Sequence, residues 1–243
     1  MKTIEAKNLR KSFGAIHAVQ NYSVKLQPGE VVALVGDNGA GKSTVVKMLS
    51  GIYRPDAGLI EIDGNSVQLR STHDARGNGI ETVLQDLSLA PQRSVFMNLF
   101  LGREEVITPF NLLRQKAMRE QAEQLFKELG VNIPDINLPV GALSGGQRQA
   151  VAIARAAKWS KSLVIMDEPT AALGVIETAK VEELIQNLSE RGTSIFLVSH
   201  NLDQVFRLAD RISILRRGEY VAEYRTSDTS KNEIVSSITG SSK

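Results

Sequence analysis

Short apolar runs alternate with amphipathic helical patterns in the first and last thirds of the chain. Four runs have the length of a strand and are mostly apolar, which is typical of strands buried on both faces of a sheet. They cover residues 31–35, 163–166, 194–198 and 211–215. Between the second and third runs, a stripe with the spacing i, i+3, i+4, i+7 predicts a helix: Val181, Leu184, Ile185 and Leu188. This alternation predicts an α/β fold with a mostly parallel sheet covered by helices.

The middle third of the chain has a different pattern. A helical stripe formed by Met118, Ala122, Leu125 and Leu129 predicts a helix over residues 114–129, and a second helix is expected over about 145–159. No strong strand pattern occurs between residues 91 and 163. We therefore expect a helical subdomain of about residues 91–159, inserted into an α/β core of residues 3–90 and 160–238.

Composition and charge exclude several classes of protein. The 243 residues carry 29 Lys and Arg against 27 Asp and Glu, a formal net charge of +2, which gives no argument for nucleic acid as a partner. The absence of Cys excludes disulfides, thiolate chemistry and Cys-type zinc sites. No apolar run approaches the length of about 18 residues that a membrane helix needs. We expect a cytoplasmic protein whose link to a membrane runs through a partner.

A glycine-rich loop follows the first buried strand. Residues 36–43 match G-x-x-x-x-G-K-[ST], in which the backbone of Gly36, Asn38, Gly39, Ala40 and Gly41 would surround phosphate groups. Lys42 would neutralise the β- and γ-phosphates, Ser43 would ligate Mg²⁺, and Thr44 would add a phosphate contact. The loop predicts binding of a nucleoside triphosphate, but it does not separate a kinase, a GTPase and a motor.

Two adjacent carboxylates follow the second buried strand. Parallel strands bring their carboxyl ends to the ligand site, so Asp167 is expected to hold Mg²⁺ and Glu168 to polarise an attacking water. The alternative is a buried strand that simply ends in a solvated acidic pair.

The most specific string is Leu143-Ser144-Gly145-Gly146-Gln147. Ser144 can cap a helix and the two glycines allow close approach of an anion, although a plain helix start is the alternative. The order of phosphate loop, LSGGQ and apolar strand ending in Asp-Glu resembles the ATP-binding subunits of ABC transporters. The resemblance runs from about Thr3 to Arg225.

That resemblance implies a P-loop NTPase fold of the ABC type. Its α/β core has a mostly parallel sheet with flanking helices and a small antiparallel β part, and a helical subdomain is inserted. The family uses ATP and Mg²⁺, and two ATPs lie between two head-to-tail subunits. By resemblance, Ser144, Gly145, Gly146 and Gln147 would contact the ATP of a second copy of this chain. Gln85 looks like the Q-loop glutamine, which senses Mg²⁺ and the γ-phosphate.

Two further residues match family positions. His200 looks like the switch histidine that contacts the γ-phosphate, and Phe13 looks like the aromatic residue that stacks on adenine. A structural His and a core Phe are the alternatives, and His17 and His73 are interpreted as structural. The chain departs from the family at residues 171–174, where Ala-Ala-Leu-Gly replaces Ser-x-Leu-Asp of the D-loop.

Residues 168–175 and 49–56 resemble the bacterial importers of ribose, galactose, xylose and fructose. The chain carries one ATP-binding half, so the resemblance implies a homodimer beneath integral membrane permease subunits, with a solute-binding protein that delivers the sugar. Residues 87–101 would line the groove for the permease, although most of their apolar side chains fit a core. A non-sugar solute, or a soluble ABC ATPase acting on ribosomes or DNA, are the alternatives. The LSGGQ string has no role in a kinase or a GTPase, so these two classes are disfavoured.

Overall fold

The computed structural model describes residues 2–241. These residues form two compact units. The first contains the residues up to Thr82, Ser160–Glu168 and the residues from Ser189 on; the second contains Val83–Trp159 and Pro169–Leu188. The division at residues 91 and 159 that the helical pattern suggests stays a prediction.

Within residues 2–241, the main sheet is formed by ten strands: β1 (Ile4–Phe13), β2 (Ile16–Leu26), β3 (Val31–Val35), β4 (Ala57–Ile62), β5 (Asn65–Val67), β6 (Ile80–Val83), β9 (Leu163–Asp167), β10 (Ile195–Val198), β11 (Arg211–Arg216) and β12 (Glu219–Arg225). Their order across the sheet is β5-β4-β1-β2-β12-β11-β3-β10-β9-β6. Strands β11, β3, β10 and β9 are parallel neighbours, whereas β1 pairs antiparallel with β2 and β4. The predicted combination of a parallel sheet with an antiparallel part is therefore confirmed.

Helices lie between and after the strands, and they include the three that the apolar pattern predicts over 114–129, over 145–159 and around 181–188. They are α1 (Lys42–Leu49), α2 (Thr72–Gly77), α3 (Val95–Leu99), α4 (Gln115–Glu128), α5 (Gly145–Trp159), α6 (Val175–Glu190), α7 (Leu202–Leu208) and α8 (Lys231–Thr239). The helix expected over 145–159 has those bounds. Within residues 2–241, no helix is both long and apolar enough to cross a membrane.

The parallel strands bring three functional segments to one edge of the sheet. Every residue of β3 and β10 is buried, because both strands have neighbours on each side. Val198 of β10 lies opposite Asp167 of β9 on one side and opposite Leu34 of β3 on the other. The glycine-rich loop, the acidic pair and His200 thus follow three adjacent strands at their carboxyl ends.

The second unit contains α3, α4 and α5, which pack on one another, and most of α6. In α4, Met118 and Ala122 are buried as predicted, but Phe126 is buried where the stripe assigned Leu125, which is only partly covered. Two short strands, β7 (Val106–Ile107) and β8 (Leu112–Leu113), also form in this unit. Apolar side chains of the segment 87–101 lie in its core, as the alternative interpretation expected: Val95, Phe96, Leu99 and Phe100.

Candidate active site

Helix α1 begins with an open N-terminus. Gly41 is its N-cap in a left-handed conformation, no side chain caps the helix, and its first turn contains no acidic residue. By contrast, a side-chain oxygen caps α2, α7 and α8. Uncapped N–H groups at the positive end of a helix attract an anion. The open end of α1 therefore lies where the sequence predicts that phosphates bind.

The glycines of this loop are held against neighbouring backbone. A Cβ atom built on Gly36 would overlap the carbonyl oxygen of Leu215, and one built on Gly41 would overlap that of Ala18. The N–H of Gly218 donates a 2.9 Å hydrogen bond to the Ala40 carbonyl. Strands β2 and β11 and the turn before β12 thus fix the loop's shape, a contribution that the sequence pattern does not reveal.

The Lys42 side chain folds back over the loop. Its Nζ donates hydrogen bonds of 2.7 Å to the Gly36 carbonyl and 2.9 Å to the Asp37 carbonyl. Burial lowers the pKa of the ammonium group, while the charges of Glu168 and Asp167 act to raise it. A phosphate would replace neutral carbonyls with a charged acceptor, which makes stronger hydrogen bonds.

The acidic pair lies at the end of β9. Burial raises the pKa of the Asp167 carboxyl, the charge of Glu168 raises it further, and Lys42 opposes the shift. A half-buried carboxylate with excess negative charge nearby fits a cation, and Ser43 is exposed at the start of α1. Among the residues described, no group of three or more His, Asp or Glu side chains converges on a metal site. Magnesium sites commonly use one or two protein ligands together with phosphates and water.

Glu168 and His200 are in direct contact. The distance from His200 Nδ1 to Glu168 Oε2 is 2.8 Å, and the Glu168 N–H donates to the Val198 carbonyl at 2.9 Å. Glu168 also has a φ of 52°, a conformation that non-glycine residues rarely adopt. The neighbouring strands β9 and β10 therefore join two site residues that the sequence predicted only separately.

Phe13 is the last residue of β1, and its ring is 43% exposed. It packs edge to face on Tyr53, with ring centroids 5.2 Å apart, and the Lys11 ammonium lies 5.6 Å from its centroid. The Lys47 ammonium of α1 lies 5.3 Å from the Tyr53 ring. The interpretation of Phe13 as buried core is therefore wrong. Tyr53 is an aromatic neighbour that the sequence analysis missed.

In the second unit, the signature residues form the N-terminus of α5. Gln147 N–H donates to Ser144 Oγ at 3.3 Å, and Ser144 N–H donates to the Gln147 side chain at 3.0 Å. This reciprocal pattern is a capping box. The predicted capping role of Ser144 is thus present, and Gln147, assigned to nucleotide contact, also has a structural role.

Gln85 lies in an exposed loop after β6. Arg155 of α5 holds the same loop, because its guanidinium donates hydrogen bonds of 2.9 Å to the carbonyls of Leu87 and Ser88. Sequence reasoning missed Arg155. No local signal marks it, because an Arg on a helix is ordinarily a solvated residue.

The departure in the D-loop is not imposed by space. A Cβ atom at Gly174 would have no heavy atom within 4 Å, and the backbone there is not left-handed. The fold therefore has no steric requirement for glycine at position 174.

A family model described as ABC transporter matches residues 19–171. The chain belongs to the ABC transporter family. Membership in this family confirms the resemblance carried by the motifs, and it makes the chain an ATP-binding subunit with ATPase activity.

Curated members of the ABC transporter family resemble the chain over nearly its full length. A xylose/arabinose import ATP-binding protein, XylG of Sulfolobus acidocaldarius, is 45% identical over 97% of this chain and 93% of its own length. A fructose import ATP-binding protein, FrcA of Rhizobium meliloti, is 46% identical over 98% of this chain and 94% of its own length. A ribose import ATP-binding protein, RbsA of Chromobacterium violaceum, is 43% identical, but this chain spans only 47% of it.

Solved structures of the family confirm the fold. The ADP conformation of MJ1267, an ATP-binding cassette of an ABC transporter, has a TM-score of 0.80 at 24% identity and covers 98% of this chain and 95% of its own. The dimeric structure of MJ0796, a bacterial ABC transporter cassette, has a TM-score of 0.76 at 26% identity. It covers 92% of this chain and 98% of its own.

Proposed function

We propose that this chain hydrolyses ATP to energise the import of a monosaccharide through a membrane permease. The observation that carries ATP hydrolysis is the open N-terminus of α1, beside Lys42, in the unit that also contains the bonded Glu168–His200 pair. The import of a sugar is inferred from relatives whose names specify xylose/arabinose, fructose and ribose import.

The phosphate loop binds the triphosphate in this proposal. Backbone N–H groups from Gly36 to Gly41 surround the phosphates, Lys42 exchanges its two carbonyl partners for phosphate oxygens, and Thr44 adds a contact. Ser43, Asp167 and Gln85 are the residues that would hold Mg²⁺, which neutralises phosphate charge when it is bound. Phe13, which is half exposed, offers a ring face for adenine.

Glu168 acts as the general base. Its carboxylate orients the attacking water and accepts its proton, while the hydrogen bond from His200 fixes the position of one carboxylate oxygen. His200 is 70% exposed at its side chain, so it remains accessible to the γ-phosphate as well. Removing a positioned general base commonly costs about 10²–10⁴ in rate.

A second copy of the chain completes each site. Ser144, Gly145, Gly146 and Gln147 would meet the ATP bound by the partner's phosphate loop, in a head-to-tail dimer with two-fold symmetry. The dimeric MJ0796 cassette supports this arrangement. ATP favours the closed dimer and ADP the open one, so hydrolysis shifts the population between them.

The remaining partners follow from the same proposal. The chain would work on the cytoplasmic face of the membrane, bound to integral permease subunits and served indirectly by a solute-binding protein, with no nucleic acid. The two single-cassette relatives support this, because the chain covers more than nine tenths of each. The alternatives stay a non-sugar solute and a soluble ABC ATPase acting on ribosomes or DNA.

The test begins with an affinity pull-down of the tagged chain from detergent-solubilised host membranes, identified by mass spectrometry. We expect a multi-span membrane protein in about one-to-one ratio, from both wild type and Glu168→Gln, because docking does not require hydrolysis. The recovered complex is then placed in vesicles with its binding protein, and ATP hydrolysis is measured with monosaccharides and with amino acids. Recovery of ribosomes instead, or stimulation by amino acids alone, would contradict the proposal.

A further inference from the structure

The N-terminus of α5 differs from that of α1, because a side chain already occupies it. Glu177, in the first turn of α6, accepts a 3.3 Å hydrogen bond from the Gly146 N–H. The Ser144 hydroxyl and the Gly174 N–H also donate to this carboxylate, and together these bonds lower the pKa of Glu177. All these residues belong to the second unit.

The Glu177 side chain lies directly on the signature glycine. A Cβ atom built on Gly146 would be 2.9 Å from Glu177 Cβ and 3.2 Å from its carboxyl carbon. The Ser144 hydroxyl and Gly146 N–H are the donors that a γ-phosphate would need. Two anions do not share such donors, since like charges at this distance repel.

We propose that Glu177 is an internal anion that occupies the signature motif of the unpartnered chain and is displaced by the γ-phosphate of the partner's ATP. The inference rests on the proposed function, because it assumes that the signature contacts the ATP of a second copy. Glu177 is then an autoinhibitory contact that sets how much ATP closes the dimer.

The surroundings of Glu177 favour such a movement. A cavity of about 410 Å³ adjoins it and is lined in part by Glu177, Lys180 and Ser144. Lys180 lies one turn along α6, at the i, i+3 spacing at which oppositely charged side chains attract, so it offers the displaced carboxylate a second partner.

The residues before Glu177 point to the same surface. Val175 and Ile176 are 88% and 74% exposed, an unusual position for two adjacent branched apolar residues. Burial of this pair against a second copy would bring that copy to the first turn of α6. A second copy bound there would lie beside Glu177.

This contact distinguishes ATP from ADP. Only a γ-phosphate competes for the Ser144 and Gly146 donors, so Glu177 returns to them once hydrolysis removes that group. The returning carboxylate favours separation of the two copies, which is the differential interaction that a population shift requires.

The test measures ATP-driven dimerisation in the Glu168→Gln variant, which holds ATP without turnover. Glu177→Gln is added to it, and Glu190→Gln serves as the matched control, since Glu190 is an exposed acid at the far end of the same helix and does not line the cavity. Sedimentation velocity at a series of Mg-ATP concentrations gives the half-maximal ATP for dimer formation. Removing a charge that competes at a helix N-terminus should lower that concentration by about two- to fivefold, with no change for Glu190→Gln.

The outcomes separate this inference from the proposed function. An unchanged or higher half-maximal ATP for Glu177→Gln overturns the inference alone, because a residue that only supports the signature loop would weaken the dimer when lost. If the Glu168→Gln parent forms no dimer with ATP, the proposed function fails and the inference with it. Thermal unfolding without nucleotide confirms that each variant is folded, and Glu177→Ala provides a second variant with the same expected direction.

Discussion

The hydrogen bond between Glu168 and His200 can be tested by removing it from both sides. The variants are Glu168→Ala, His200→Ala and the double variant, since Gln at position 168 would keep an acceptor for the His200 ring. Ala tolerates the left-handed backbone of residue 168 about as well as Glu does, because both carry a Cβ. This double-mutant cycle therefore isolates the interaction between the two side chains.

The expected magnitude follows from the geometry. A hydrogen bond to a charged group contributes about 1.5–3 kcal/mol, and the exposure of His200 places this one at the lower end. About 1.5 kcal/mol corresponds to about a tenfold change in rate. The fold-loss in kcat caused by His200→Ala should thus be about ten times larger in the wild type than in the Glu168→Ala background, where only its contact with the γ-phosphate is left to lose.

The assay is phosphate release from labelled ATP in single-turnover conditions, which resolves the slow rates of the Glu168→Ala background. His73→Ala is the matched control, because His73 is an exposed histidine of α2 outside the site and its loss should leave the rate within about twofold. If His200→Ala causes the same fold-loss in both backgrounds, the two residues act independently, and the positioning role of the 2.8 Å bond is refuted.

Three further predictions concern the stability of the site. Gly41→Ala should lower the free energy of unfolding by about 1–3 kcal/mol, measured in urea, and abolish ATP binding, because its Cβ would overlap the Ala18 carbonyl. The control is Gly39→Ala, which should cost only about 1 kcal/mol, because the backbone of Gly39 is also left-handed but a Cβ there has free space. Asp167→Asn should raise the melting temperature of the nucleotide-free protein at pH 7.5 and not at pH 3. The raised pKa of Asp167 makes its ionisation unfavourable in the folded state, and this cost appears as the pH rises above the ordinary value of 3.8. Gly174→Asp should leave the free energy of unfolding within about 0.5 kcal/mol, because a Cβ atom at this position has no heavy atom within 4 Å.

Each of these has a clear contrary result. Equal losses for Gly41→Ala and Gly39→Ala would show that the Ala18 carbonyl yields without cost. A lower melting temperature for Asp167→Asn at pH 7.5 would mean that the carboxylate stabilises the empty site. A large loss for Gly174→Asp would indicate that the D-loop backbone depends on glycine.

Local features of the chain were predictable because they depend on neighbouring residues. Strand β3 and helix α5 have the predicted bounds, since an apolar run, a glycine-rich turn and a capping Ser act within a few residues of one another. The motifs also identify the family, because their order and residue types are specific without any knowledge of the fold.

Contacts between distant segments could not be predicted in the same way. Neighbouring positions on α4 differ by about 100°, so whether Phe126 or Leu125 faces inward depends on which helices pack against it. The residues that support the site, such as Arg155 and Glu177, carry no local signal. Their roles arise only when their partners are brought near.

The nucleotide chemistry can be inferred without the fold, because the phosphate loop, the acidic pair and the signature carry it in their residue types and spacing. How those parts are combined depends on contacts between distant segments. Adjacent β9 and β10 bring His200 to Glu168, and α6 brings Glu177 to the signature. The physical reason is that the order of strands and the packing of helices are set by burial of the whole core, which no short segment encodes.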